Sequence, residues 1–233
     1  MSNFPDIYFD NNYYNPMISS PNAPYAIMFY QTRETLNADA DVFKRFLDNA
    51  ISRFRHSRTY TGYKSYLIEL GLDRCQMLSN ITNDMATVEM HHNGLTIFDI
   101  ALIITNHIIT TKGKISTFDL VLELKKVHKN NMVPLVMLCK TSHQMVHHNE
   151  EFFVPASMCF GFWMNLLEEY KYGITYGIAK KLYYFIKTSI EHNNDPTLNE
   201  KLLALNEHIR VWSDYNECAY NNNRFNLAKN TGV

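Results

Sequence analysis

Five of the ten histidines in this chain fall in two groups, Glu89-Met90-His91-His92 and His143-Gln144-Met145-Val146-His147-His148. Imidazole nitrogens bind borderline metal ions and exchange protons near neutral pH, so such groups are where chemistry is sought first. Residues four apart on a helix share a face, so His143 and His147 can present two nitrogens to one ion. Successive residues on a strand point to opposite sides, so His91 and His92 cannot both enter one coordination shell without a bend. One can meet a metal while its neighbour meets something else. A strand–strand–helix unit that set His91 against His143 and His147 would make a three-histidine site with open positions, able to take a phosphate oxygen and water.

The elements that must position these residues are legible in outline. Thr87 to His91 alternates like a strand, Val133 to Leu138 is a short apolar run, and Lys140 to about Asn149 reads as a helix. Between the strands, Leu95 to Ile109 is apolar and of helix length, Gly113 breaks it, and Ser116-Thr117 opens a second helix to about His128. Upstream, Val42, Phe43, Phe46, Leu47, Ala50, Ile51 and Phe54 mark an amphipathic helix, and another is expected from about Tyr63 to Leu72. Downstream helices are expected at Met158–Tyr170, Ile174–Glu191 and Leu198 to about Asp214. The expected organisation is an irregular arm over 1–37, a helical segment over 38–86, a core over 87–150 with a helical insertion at 95–129, and a helical region over 151–233. His107 and His128 read as ordinary helix residues and His148 as a solvent-facing neighbour. Tyr183, Tyr184 and Phe185 read as core before they read as base-stacking residues.

The order Glu-x-His-His, then Asn130-Asn131 before an apolar strand, then Leu138-Cys139-x-x-x-His143-x-x-x-His147, resembles the HNH or His-Me finger endonucleases. The resemblance covers about Thr87 to Asn149. It implies an α+β fold, mainly helical, with a small ββα-metal core holding a two-stranded hairpin. It implies His91, His143 and His147 as ligands of one divalent ion (Mg, Mn, Ni or Zn), His92 as general base, and Asn131 as the residue that pins the connecting loop. Glu89 would orient a ligand histidine through its second nitrogen. Neutral His92 would then deprotonate a water that attacks phosphorus in line, and the metal would neutralise the developing charge. The sequence departs from the family in the 38 residues between His92 and Asn131. It departs again in the zinc knuckles, where Cys75-Gln76-Met77-Leu78 and Cys139-Lys140-Thr141-Ser142 each keep one cysteine of a pair. No four-cysteine zinc is therefore expected.

The formal net charge of −1 does not announce a nucleic-acid binder, but its distribution is uneven. Lys112 to Lys140 holds six basic residues against two acids, and Glu191 to Glu217 holds six acids against two basic residues. Lys112, Lys114, Lys125, Lys126 and Lys129 are the candidate phosphate contacts. The four cysteines are widely spaced and no signal-peptide pattern opens the chain, so free thiols in a host cytoplasm are expected. No apolar stretch is long enough for a membrane helix. Asn-, Lys- and Tyr-rich composition suggests an A+T-rich genome and a phage source. The leading expectation is a metal-dependent endonuclease acting on double-stranded DNA. The alternative is a non-catalytic phage structural or adaptor protein on the same fold, bound to other phage proteins. A closed four-ligand zinc that only holds the fold is a third reading.

Overall fold

Short polar side chains decide where the helices begin. In the computed structural model, which describes residues 30–148 and 152–230, Asp39 caps α2 (Ala40–Arg55) and Ser57 caps α3 (Arg58–Glu69). Thr32 does the same for α1 (Arg33–Asn37), which follows strand β1 (Tyr30–Thr32). Reciprocal capping boxes, Thr96 with Asp99 and Ser116 with Asp119, open α4 (Ile97–Lys112) and α5 (Thr117–Lys129). Each satisfies backbone N–H groups that have no partner in the first turn. Gly113, in the left-handed conformation at φ 77°, ends α4 and turns the chain into β3 (Lys114–Ser116).

The result is a mainly helical α+β architecture with two small sheets among the described residues, each of two antiparallel strands. In one, β1 pairs with β3 with Tyr30 opposite Ser116. This sheet corrects the sequence reading at both ends. Residues 30–37 were expected as irregular arm, and no strand was expected between Gly113 and the helix opening at Ser116-Thr117. Three-residue strands carry too little periodicity to be read locally, and each of these pairs with a partner distant in sequence. The rest of the proline-bearing arm lies outside the described residues.

In the other sheet, β2 (Val88–His92) pairs with β4 (Leu135–Cys139), setting His91 opposite Val136 and His92 opposite Leu135. The helical insertion α4–β3–α5 runs between these two strands. α6 (Lys140–His148) follows β4 directly. Beyond it come α7 (Trp163–Glu169), α8 (Tyr176–Glu191) and the long α9 (Pro196–Asn230), which packs along α8. The expected helix at Met158–Tyr170 is thus shorter than its apolar content suggested, with Ala156–Met158 forming a separate 3-10 turn.

α4 explains why so apolar a segment need not face lipid. Ile97, Ile100, Ala101, Ile103, Ile104, Ile108 and Ile109 are all buried, and α2, α5 and the 171–173 turn enclose the helix. Each such isoleucine contributes roughly 1.5–3 kcal/mol of burial free energy. Gly173 lets the 171–173 turn lie against α4, because a Cβ there would sit 1.8 Å from the Ile103 carbonyl oxygen. No helix among the described residues is long and apolar enough to cross a membrane.

β4 is buried on both faces. Leu135 and Met137 enter the main core, while Val136 and Leu138 form a smaller cluster with Val154, Met77 and Val146 beneath α6. That division settles the environment of every side chain on β2.

Candidate metal centre

Strand alternation sorts the β2 residues. Glu89 and His91 share the face of Val136 and Leu138, under α6, while Val88 and His92 share the face of Leu135 and the main core. On the α6 side, His91 meets His143 and His147, with ring centroids 4.8 and 5.2 Å away. His143 and His147 lie one helical turn apart, their rings 5.0 Å centroid to centroid. One ligand atom from each of the three imidazoles falls within 4.8 Å of the others, the spacing needed to surround a single ion. The spacing read on the helix and the residue read on the strand are thus brought together.

Hydrogen bonds set the tautomers. His143 Nδ1 donates to Glu89 Oε2 at 2.5 Å, which leaves its Nε2 as a lone pair in the neutral ring. That Nε2 is 3.2 Å from His147 Nε2. Two facing ring nitrogens, one obliged to be an acceptor, suit a cation between or beside them. Burial, then the neighbouring His143 and His147, push the His91 pKa down to about 4. His91 is 8% exposed and His147 is exposed, so the cluster spans from the protein interior to its surface.

His92 points the other way. Its Nε2 lies 3.0 Å from His128 Nε2, and His128 rests against the Phe54 ring at 4.5 Å and the Tyr63 ring at 5.6 Å. Burial first, then the positive charge of His128, Arg55 and His91, holds the His92 pKa well below its ordinary value. The expected general base is therefore engaged on the core side of β2, away from the three-histidine cluster. His128, read in the sequence as an ordinary helix residue, is fully buried and is this histidine's partner. The available signal was its place on the α5 stripe with Leu120, Leu124 and Val127, all buried.

Asn131 lies at a turn and is bonded from two sides. It adopts a left-handed backbone at φ 53° in the turn between α5 and β4. Its Oδ1 accepts from the Tyr63 hydroxyl at 3.0 Å, and its carbonyl accepts from the Phe162 amide at 2.5 Å. Gly161, at φ 107°, allows that approach, since a Cβ would meet the carbonyl oxygens of Val133 and Asn131.

The half-knuckle residues converge as well. Ser142 Oγ lies 3.7 Å from Cys75 Sγ and 3.4 Å from Cys139 Sγ, all three buried at the start of α6. All four cysteines are free thiols.

The lysines form no single basic strip. Lys126 pairs with Glu169 at 2.6 Å and Glu123 at 3.4 Å, and Lys114 lies over the Tyr30 ring at 4.7 Å. Lys112 and Lys114 line a recess that also contains Asp119 and Glu123. Lys129 is exposed and Lys125 half-buried on α5. Phe185 is core, whereas Tyr183 and Tyr184 are exposed.

A family model described as "Bacteriophage G278-like virion protein" matches residues 10–214 of the 233. No curated protein and no solved structure matches the chain. The family match agrees with a phage origin and overturns the endonuclease reading. The endonuclease resemblance rested on a short block around two histidine groups, whereas the virion match takes in nearly every described element. Shared residue types in a ββα order specify a local unit, not its use. By that match the chain belongs to the family of bacteriophage G278-like virion proteins.

Proposed function

We propose that the chain is a structural or adaptor component of a phage particle, acting through association with other phage proteins. The observation that carries this reading is the family match across residues 10–214. The site geometry supports it, because His92 lies on the opposite face of β2 from the three-histidine cluster, with its Nε2 against His128. So does the surface, where acids interrupt the lysines that a phosphate-binding face would group. Made in the host cytoplasm, the protein ends in the assembling particle.

Within that role, His91, His143 and His147 hold one divalent ion that staples α6 to β2. Three imidazoles suit zinc or nickel far better than magnesium, which prefers oxygen donors. The supporting features are the shared approach of three ligand atoms and the Glu89-fixed tautomer of His143.

Mass spectrometry of purified phage particles tests the role, with a deletion of the gene scored for particle assembly. The chain is expected in the particle at fixed stoichiometry, and the deletion should halt or deform assembly. A protein absent from particles, with plasmid DNA nicked by the pure protein and spared by His92→Ala, would sink the structural reading.

A further inference from the structure

Two of the four free thiols meet in the interior. Cys139 is the last residue of β4, opposite Val88 on β2. Cys75 sits in a loop closed by the Arg74–Thr82 bridge, and its own N–H donates to the Ile81 carbonyl at 2.8 Å. Gln76 bolts that loop to β4. Its N–H donates to the Met137 carbonyl at 2.8 Å, and its Oε1 accepts from the Met137 N–H at 2.7 Å. Both sulfurs are thereby held against one hydroxyl, Ser142 Oγ, at 3.7 Å from Cys75 and 3.4 Å from Cys139. The Cys139 thiol also hydrogen-bonds the Cys75 sulfur directly.

A disulfide forms where two sulfurs are already close and the backbone need not move far. The two thiols also differ in character. Burial raises the Cys75 pKa, but the Cys139 N–H, the Ser142 hydroxyl and the Leu78 N–H outweigh it and hold it below the ordinary thiol value. Cys75 is therefore the nucleophile of the pair, and Cys139 the thiol that resolves it. Cys159 is engaged elsewhere, where its Sγ accepts from Asn93 Nδ2 at 3.2 Å.

We propose that Cys75 and Cys139 are a redox pair that closes into an internal disulfide once the protein leaves the reducing cytoplasm. The setting rests on the virion reading above: synthesis keeps the thiols reduced, and a released particle meets an oxidising medium. A peroxide, near water in size, is the fitting oxidant for sulfurs that are 0% and 4% exposed. The Cys75 sulfur attacks one peroxide oxygen, the O–O bond breaks, and Cys75 sulfenic acid and one water result. The Cys139 sulfur then attacks Cys75 Sγ, and the sulfenic oxygen leaves with the Cys139 proton as a second water. Two thiols are oxidised and one peroxide is reduced. The bond ties the loop around Cys75 to the junction of β4 and α6, a few residues ahead of His143.

The test uses full-length protein carrying Cys218→Ser, so that no surface thiol can join two copies. It is treated folded, in EDTA, with hydrogen peroxide, and its thiols are counted after quenching and unfolding. The count should fall from three to one, and peptide mapping should find Cys75 joined to Cys139 until dithiothreitol is added. Cys139→Ser in the same background should give no joined peptide and leave Cys75 carrying added oxygen. Three thiols surviving in the parent, or Cys75 gaining oxygen there while Cys139 stays free, would overturn the pair. Released particles quenched with an alkylating agent test the setting: joined peptides are expected in particles and not in lysate of infected cells. A chain present in particles with both thiols alkylated would overturn the proposal and leave the virion reading standing. A chain absent from particles would remove the virion reading and this setting with it, while joined peptides from the pure protein would still establish the pair.

Discussion

His92 and His128 face each other through their Nε2 atoms at 3.0 Å, and only one direction of hydrogen bonding is open to them. His128 Nδ1 donates to the Leu124 carbonyl at 2.7 Å, so the Nε2 of its neutral ring is an acceptor. His92 therefore donates through Nε2 and keeps its lone pair on Nδ1. Two imidazoles of fixed tautomer, closed in by Phe54, Tyr60 and Tyr63, tie β2 to α5 and α3.

That pair predicts acid sensitivity. Burial lowers the His128 pKa to about 4, partly opposed by the Leu124 carbonyl, against roughly 6.5 in the unfolded chain. A folded-state pKa below the unfolded one means the unfolded chain takes up the proton first. The stabilisation is complete above pH 6.5 and is lost as pH falls from there towards 4, at up to about 1.4 kcal/mol per pH unit. Urea unfolding midpoints at several values between pH 7.5 and 4.5 measure it. His128→Leu should be less stable at pH 7.5 by about 1–3 kcal/mol, because the His92 N–H is left unpaired. Its midpoint should then change less with pH than that of the parent protein, and a steeper change would contradict the assignment.

What the sequence made legible follows from how local each feature is. His143 and His147 share a face because of helix geometry within five residues, and Glu89 and His91 share one because of strand alternation within three. Both relationships are present in the structure. Which of His91 and His92 looked inward was not local: it depends on Phe54, Tyr63 and His128, which are brought in by α2, α3 and α5. Reading His92 as a base came from a family order, and the aromatic enclosure on its side of the sheet left no trace in the residues around it. The β1–β3 pairing was hidden for the same reason, since Tyr30 and Ser116 are 86 positions apart.

The turn at Asn131 should separate backbone strain from side-chain bonding. A non-glycine residue in the left-handed region costs about 1–2 kcal/mol, and asparagine tolerates it better than most. Asn131→Ala loses both that tolerance and the Tyr63 bond, whereas Asn131→Gly loses the bond alone. Tyr63→Phe removes the same bond from the other side. The expected loss is about 2 kcal/mol for alanine and about 1 kcal/mol for each of the others, read from urea midpoints. Equal losses for alanine and glycine would show that the positive φ carries no cost here.

Thiol reactivity weighs burial against acidity. Backbone N–H groups of Cys139 and Leu78, with the Ser142 hydroxyl, lower the Cys75 pKa even though its burial acts in the opposite sense. A thiolate is the reactive form, yet Cys75 is 0% exposed and Cys139 4%. Burial pushes Cys159 up to about 11. With a water-soluble disulfide reagent, the native protein should therefore show one fast thiol, Cys218, and four after unfolding. A second fast thiol lost in Cys75→Ser would mean that the segment around Cys75 opens readily in the native state.

Glu89 tests whether the histidine cluster is organised for a metal. Its carboxylate takes the Nδ1 hydrogen of His143, fixing both the ring's orientation and its free Nε2. Carboxylates in this position raise ligand basicity, and their loss typically weakens metal affinity by about 10- to 100-fold. Glu89→Gln keeps an oxygen acceptor but removes the charge, so it should weaken zinc binding by less than Glu89→Ala does. Competition titration with a zinc-sensitive dye gives the order: wild type tightest, glutamine next, alanine weakest. Thermal unfolding of the same proteins with EDTA reports any general loss of structure separately. If Glu89→Ala binds zinc as tightly as wild type, the short contact to His143 has no part in holding a ligand, and the cluster would have to be read as packing.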